Sequence, residues 1–361
     1  MIYYKDKTYN FFEIFNEKNG MMFRSNIEGT VIPPTTRSFP ELLDIGIMGH
    51  CDSGTKGYCK AAGIDCYQMG DTSRFPHMSS EDFEQIVKQA SGKTFQIALG
   101  GAGDPNKYPE LEKILRISRE NGIVPNMTTS GYGLLDSEIE LIKKYCGAVA
   151  VSWYSRLKVN GNNIAETNPL TVEVIQRLLA AGCRTNIHYV ISINTLDEAI
   201  VRLEKGLFPK GIAAVIFILY KPIGYGKQDK VPRMDEKMKL FIKIATEKRH
   251  AFQVGFDTCF TSALVIPDSK IPEMCVDACE AGCFSMYIDS RLNCYPCSFG
   301  QQTEFVESMK DKNLQDVWNG EIFQKFRNHS KQNGEEHCTT CRRYELCQGG
   351  CKLGLEINAC R

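Results

Sequence analysis

The 361-residue sequence predicts an α/β protein with three parts. These are a β-hairpin extension over residues 1–41, a partial (β/α)6 barrel of the TIM type over residues 42–257, and a cysteine-rich module over residues 258–361. Three observations predict it. Between Leu42 and Phe256, apolar strand-like runs alternate six times with amphipathic helical stretches, and parallel neighbours need such crossover helices. Before Leu42 the chain alternates polar and aromatic residues in short runs. After Phe256 it breaks into short segments punctuated by Cys, Gly and Pro.

Taken in order, YYKDKTYNFFEIF, the turn EKNG and MMFRSNI form the hairpin, followed by a loop at Pro33 and Pro34. The barrel strands are LLDIGIMG, FQIALGG, IVPNMTT, AVAVSW, RTNIHYVIS and AAVIFILY. The helices after them are SSEDFEQIVKQA, PELEKILRISREN, SEIELIKKY, LTVEVIQRLLAAG, LDEAIVRLEKG and MDEKMKLFIKIATEK. Ser79 and Ser80 ahead of Glu81 and Asp82 make a helix start, and Gly122 and Gly182 follow helix ends.

Composition narrows the function. Lys+Arg and Asp+Glu both number 43, so there is no net basic field to attract phosphate backbones, and nucleic acid is not an expected partner. The longest apolar run, Ile212 to Tyr220, is about half a bilayer span. The N-terminus lacks the basic-then-apolar form of a secretory signal, so the expected location is cytoplasmic and no membrane is expected. Sixteen cysteines in a chain of this length point to metal ligands rather than a disulfide scaffold. Cys146 and Cys183, alone in apolar segments, read as small buried hydrophobes.

The first cysteine cluster follows strand LLDIGIMG directly: Cys51, Cys59 and Cys66, with seven and then six intervening residues. Loops after strand C-termini form the active face of such a barrel, so the three thiolates face one cavity. Three thiolates on a 4Fe-4S cube leave one iron open for a substrate or cofactor. A zinc site with His50 as fourth ligand is the alternative. With Tyr67 beside the third cysteine, this loop resembles that of the radical S-adenosylmethionine family, whose common spacing is three then two. Gly54, Gly57 and Gly63 give the longer loop its freedom to fold.

Strand FQIALGG ends in GGAGDP, with Gly100, Gly101 and Gly103, and is similar to the glycine-rich turn with which that family holds the methionyl amino group. The usual acid is absent at Ala102, and Asp104 stands two residues on. By the same resemblance Thr128, Thr129 and Ser130, then Ser152, then Asn186 and His188, at strand ends, line the cofactor's carboxylate and ribose. The bland reading of each is a polar residue packed inside a barrel.

The C-terminal array is the most specific signal. Cys338, Cys341, Cys347 and Cys351 give C-x2-C-x5-C-x3-C, Cys360 follows, and upstream lie Cys279 and Cys297 of YPC. Together these resemble the SPASM extension of radical enzymes that modify peptides and proteins. The resemblance implies two auxiliary 4Fe-4S clusters. One takes Cys279, Cys297 and Cys351 with Cys275 as fourth ligand and Cys259 as rival; the other takes Cys338, Cys341, Cys347 and Cys360. Cys283 and Cys294 are surplus, either buried thiols or a reserve ligand. Leu292 replaces a glycine five residues before Cys297, so that turn is expected to differ. Ser298 stands where relatives that oxidise a side-chain Cβ carry an aspartate base.

The function this implies is a radical peptide maturase with three 4Fe-4S clusters. Cys51, Cys59 and Cys66 hold the cluster that reduces S-adenosylmethionine to a 5'-deoxyadenosyl radical. The substrate is a ribosomally made peptide with a leader segment, modified by a C-S or C-C crosslink, and the electron donor is a flavodoxin or ferredoxin. Alternatives are epimerisation, backbone excision or sulfatase-maturase-type oxidation. Outside enzymes, the alternative is a metal-binding interaction module.

Overall fold

The computed structural model describes residues 1–27, 35–160, 163–265, 271–332, 338, 340–354, 356–358 and 360. Pro33 and Pro34 lie outside them. The N-terminal extension is not a hairpin but a three-stranded antiparallel sheet, β1 (Ile2–Asp6), β2 (Phe11–Phe15) and β3 (Met22–Asn26), with β2 central. The run YYKDKTYNFFEIF, read as one hairpin arm, is two strands that turn at residues 7–10 and pair with each other, while MFRSN of the second arm pairs along its whole length with β2. One face buries Phe11 against Phe284 and stacks Phe15 on Phe95, with ring centroids 5.4 Å apart for the latter pair.

Seven parallel strands form the open barrel: β4 (Leu42–Met48), β5 (Gln96–Gly101), β6 (Val124–Thr129), β7 (Val149–Ser152) and, beyond a small hairpin β8 (Leu157–Asn160) and β9 (Asn163–Glu166), β10 (Thr185–Ile191), β11 (Ala214–Leu219) and β12 (Gln253–Phe256). Six of them are followed by crossover helices, as the alternation predicts, and β12 adds a seventh parallel strand. The hairpin β8–β9 was not legible in the sequence, because LKVN and NIAE are too short to show a period. Ser79 caps the first crossover helix, Ser80–Ala90, by accepting from the amide of Asp82, and Gly122 and Gly182 take left-handed backbones past their helix ends.

Strand alternation divides the barrel into two faces. Leu43, Ile45 and Ile47, like Ile187, Tyr189 and Ile191, are fully buried in the main core. Asp44, Gly46, Asn186 and His188 alternate with them onto the concave face. The cysteine-rich region joins this sheet: β13 (Ser285–Ile288) pairs in parallel with the free edge of β4, and β14 (Asn293–Tyr295) and β15 (Glu307–Ser308) extend it antiparallel to ten strands. A buried ionic knot fastens the N-terminal sheet to this junction. Arg24 of β3 donates to Glu41 at 2.5 Å, Glu280 at 2.7 Å and Asp277 at 3.1 Å, and Arg37 pairs with Glu13 at 2.8 Å. Arg24→Met is expected to destabilise the chain by about 3–5 kcal/mol in urea denaturation, because it strands buried carboxylates. Adding Glu41→Gln should recover part of the loss.

Candidate functional site

Cys51 leaves β4 and donates its amide to the Gly70 carbonyl at 2.9 Å, while its sulfur caps the short helix Asp52–Thr55 by accepting from Gly54. Cys59 sits in the next short helix, Tyr58–Ala61. The loop returns through Asp65, which accepts from Tyr220 at 2.8 Å and from Lys230, so the segment after β11 holds the long spacing in shape. The three thiols share one half-buried space. Burial is the main cause that raises the Cys51 thiol and pushes Cys59 up to about 12, and for both the neighbouring cysteines add to it. His50, the alternative zinc ligand, stacks on His77 and bonds the Phe75 carbonyl. Among the described residues no three His, Cys, Asp or Glu side chains are spaced for a single metal ion. A four-iron cube spaces its thiolates more widely than one ion does, and the gathered thiols fit that larger group.

The glycine turn packs onto this loop. A side chain at Gly70 would strike the Ala102 carbonyl, and the Ala102 amide donates to Met48 at 2.8 Å. Gly101, at φ +114°, has the Met48 carbonyl 2.6 Å from where a Cβ would stand, and Gly103 has the His50 carbonyl at 2.6 Å. Packing against the segment that follows β4 is thus by itself a reason for glycine at these two positions. Gly100 alone opens the concave face, with only an Asp44 oxygen within 4.0 Å. Asp104 is buried and accepts from the Ser130 amide at 2.6 Å and hydroxyl at 2.7 Å, so this pair ties the ends of β5 and β6 together. Thr129 turns outward to Asn106 at 2.8 Å. Thr128 and His188 meet on the concave face at 3.5 Å, and Ser152 faces Tyr154.

In the C-terminal region Cys259, Cys279, Cys297 and Cys351 act on one another, and burial pushes Cys279 up to about 11 and Cys297 up to about 12. Cys275 is exposed and absent from that set, which favours its rival Cys259 as the fourth member. Cys338, Cys347 and Cys360 form a second group, with Cys341 bonded through its amide to the Cys338 carbonyl. Cys283 is buried against the Lys352 ammonium at 3.2 Å, and Cys294 lies fully buried in the main core. The turn at Leu292 does not change as expected. Leu292 keeps a left-handed backbone, φ +67°, and Asp289 pins it by accepting from Arg291, Asn293 and Tyr295.

Sequence reading passed over Asp44. Its signal is one charged residue inside an otherwise apolar strand, LLDIGIM. Burial pushes its carboxyl up to about 7, with Ser298 acting in the opposite direction, and Tyr67 and Tyr287 both feel its charge. Tyr67 packs on Phe299 with centroids 4.6 Å apart, so the residue after the third cysteine touches the segment after Cys297.

Residues 279–342 match the SPASM iron-sulfur cluster-binding domain. Over 293 residues the chain is 23% identical to the PqqA peptide cyclase of Methylobacterium nodulans, covering 77% of this chain and 74% of the relative. Its fold is similar to that of Streptococcus suis SuiB bound to S-adenosylmethionine, with TM-score 0.67, 20% identity, and 88% and 74% of the two chains covered. SuiB bound to the precursor peptide SuiA gives 0.65, 21%, 88% and 72%, and native anSMEcpe with bound AdoMet gives 0.61, 16%, 89% and 94%. Residues 279–342 therefore form an iron-sulfur cluster-binding domain of the SPASM type, and the chain shares the fold of SuiB and anSMEcpe. Among the described residues no helix is long and apolar enough to cross a membrane.

His188 supplies a test of the concave face. Burial lowers its imidazole from 6.5 to about 4, so the folded chain resists a proton that the unfolded chain accepts. Stability should fall as pH drops from about 6.5 toward 4, by no more than about 1.4 kcal/mol per pH unit for this group. Chemical denaturation at pH 7 and pH 5 should show a smaller acid loss in His188→Gln.

Proposed function

We propose that this enzyme is a maturase of a ribosomally made peptide, closing a C-S or C-C crosslink with loss of two hydrogens. The observation that carries the reading is the continuous sheet in which β4 feeds the Cys51 loop and β13 leads to Cys297, both beside one concave face. The similarity to a PqqA peptide cyclase and to SuiB bound to a precursor peptide supports a peptide substrate. In this reading Cys51, Cys59 and Cys66 hold a 4Fe-4S cluster whose open iron takes S-adenosylmethionine. When bound, that pair supplies a 5'-deoxyadenosyl radical that takes one hydrogen atom from a peptide carbon. Gly100 leaves room for the methionyl end, His188 and Thr128 line the opposite wall, and the Asp104–Ser130 pair ties the two strand ends together.

Two auxiliary clusters complete the set: one on Cys259, Cys279, Cys297 and Cys351, the other on Cys338, Cys341, Cys347 and Cys360. Cys259 here replaces Cys275. A flavodoxin or ferredoxin supplies the electron, and a leader segment adds as a strand at an edge of the N-terminal sheet.

Two experiments test this. Anaerobic iron analysis should find about twelve irons per chain. About four should be lost in the Cys51/Cys59/Cys66→Ala triple variant together with all deoxyadenosine formation. Cys259→Ala should lose a cluster that Cys275→Ala retains; the reverse pattern restores Cys275 as ligand. Incubating the reduced enzyme with a peptide encoded beside it should yield a product lighter by two hydrogens. No mass change with deuterium uptake from heavy water identifies an epimerase, and loss of a residue fragment identifies backbone excision. Stimulation of deoxyadenosine formation by a small metabolite and by no peptide ends the maturase reading.

A further inference from the structure

Among the described residues the enclosed acids meet a cation or accept from backbone amides, as Asp6 does from Thr8, Tyr9 and Ser38, whereas Asp44 accepts from the Ser298 hydroxyl and meets no cation. Glu13 meets Arg37, Glu41 and Glu280 meet Arg24, Asp257 meets Lys221, Asp289 meets Arg291, and Asp104 accepts from Ser130. Asp44 forms no ion pair among the described residues. Its neighbours are the Ser298 hydroxyl and the phenols of Tyr67 and Tyr287, none of which carries positive charge. An unpaired acid on a central strand is a cost to folding, so its place needs a reason other than stability.

Its surroundings supply one. In register, Asp44 lies opposite Tyr287 on β13 and Ala98 on β5. Ala98 has no bulk and Gly100, next on that face, has no side chain, and a Cβ there would stand 4.0 Å from an Asp44 oxygen, so no β5 side chain covers the carboxylate on that edge. The opposite wall is rigid. Gln301 donates to Gln68 at 2.8 Å, Gln68 donates to the Tyr287 hydroxyl at 3.4 Å, and that hydroxyl lies where a Cβ on Gly46 would stand. Tyr67 follows Cys66 and Ser298 follows Cys297, so Asp44 stands between the residues that adjoin the two cysteine groups.

The geometry points to Asp44 as a catalytic residue that accepts, on a carboxylate oxygen, the proton leaving the peptide as its crosslink closes. This rests on the maturase reading and deepens it. Two hydrogens amount to one hydrogen atom, one proton and one electron. The hydrogen atom leaves the peptide carbon, and that carbon bonds to the sulfur or carbon partner whose X–H bond breaks. The proton of that bond goes to Asp44, and the electron goes to an iron–sulfur acceptor. Asp44 then returns the proton to solvent before the next turnover. The Ser298 hydroxyl stabilises the charged form between turnovers, and the two phenols present apolar ring surface that excludes water from it.

The test uses the holoenzyme and the crosslinking peptide. Asp44→Asn keeps shape and removes the base. Crosslink formation should fall about 10²-fold. Deoxyadenosine per crosslink should rise from about one to tens, because the peptide radical forms and is not carried forward. A second readout does not depend on turnover: the infrared band of a carboxyl that is protonated in acid and ionises as the pH is raised through neutrality, present in the wild-type holoenzyme, should vanish in Asp44→Asn. Moving the carboxylate to its contact, in Asp44→Ser with Ser298→Asp, should restore part of the crosslinking. Wild-type crosslinking by Asp44→Asn, persistence of the band, or loss of clusters in that variant overturns the assignment. A wild-type enzyme that crosslinks no peptide overturns the maturase reading first, and this assignment falls with it.

Discussion

Strand β4 is the constraint on which the rest depends. It hydrogen-bonds β5 on one edge and β13 on the other, so the barrel and the cysteine-rich region share a sheet instead of meeting at a surface. Its outward side chains, Leu43, Ile45 and Ile47, anchor the main core. Its inward side chains face the cavity, and its end becomes the first cysteine loop. A register slip of one residue would exchange those faces, burying Asp44 in the core and moving Leu43 into the cavity.

The charged groups divide by task. The Arg24 and Arg37 knot lies where the N-terminal sheet, the start of β4 and the Glu280 segment converge, and Arg37 also stacks over Tyr4 at 3.6 Å. Buried pairs of this kind specify arrangement more than they add stability. Lys221, paired with Asp257 and over the Phe299 ring at 4.5 Å, does the same between the barrel and the Cys297 segment. Asp44 has no such partner, and its carboxyl stays near neutrality in the pH range where enzymes move protons.

Glycines and left-handed turns show how tightly the two cysteine regions are framed. Gly70 and Gly103 let the β5 turn lie against the Cys51 loop, and a Cβ at Gly224 would stand only 2.7 Å and 2.5 Å from the carbonyls of Cys66 and Tyr67. Leu292 holds a backbone that favours glycine, because six hydrogen bonds onto the Asp289 carboxylate outweigh its strain.

The sequence by itself determined the class: β-then-α alternation, caps and cysteine spacing are local signals that repeat along the chain, and each survived folding. It also marked the right loops, since Cys51, Cys59 and Cys66 are close in sequence and need only a flexible segment to meet. Tertiary structure decided everything that depends on distant residues. The choice between Cys259 and Cys275 turns on which of them is buried with Cys279, Cys297 and Cys351, which spacing does not encode. Gly101 and Gly103 read as ligand contacts in a motif, and only the approach of β4 and the segment after it shows that backbone packing is by itself a reason for glycine there. The division of the first N-terminal run into two paired strands and the shared edge of β4 and β13 are pairings that periodicity does not reveal. Asp44 reads in sequence as one charge in an apolar strand; its meaning comes from Tyr287, Tyr67 and Ser298, which folding alone brings to it.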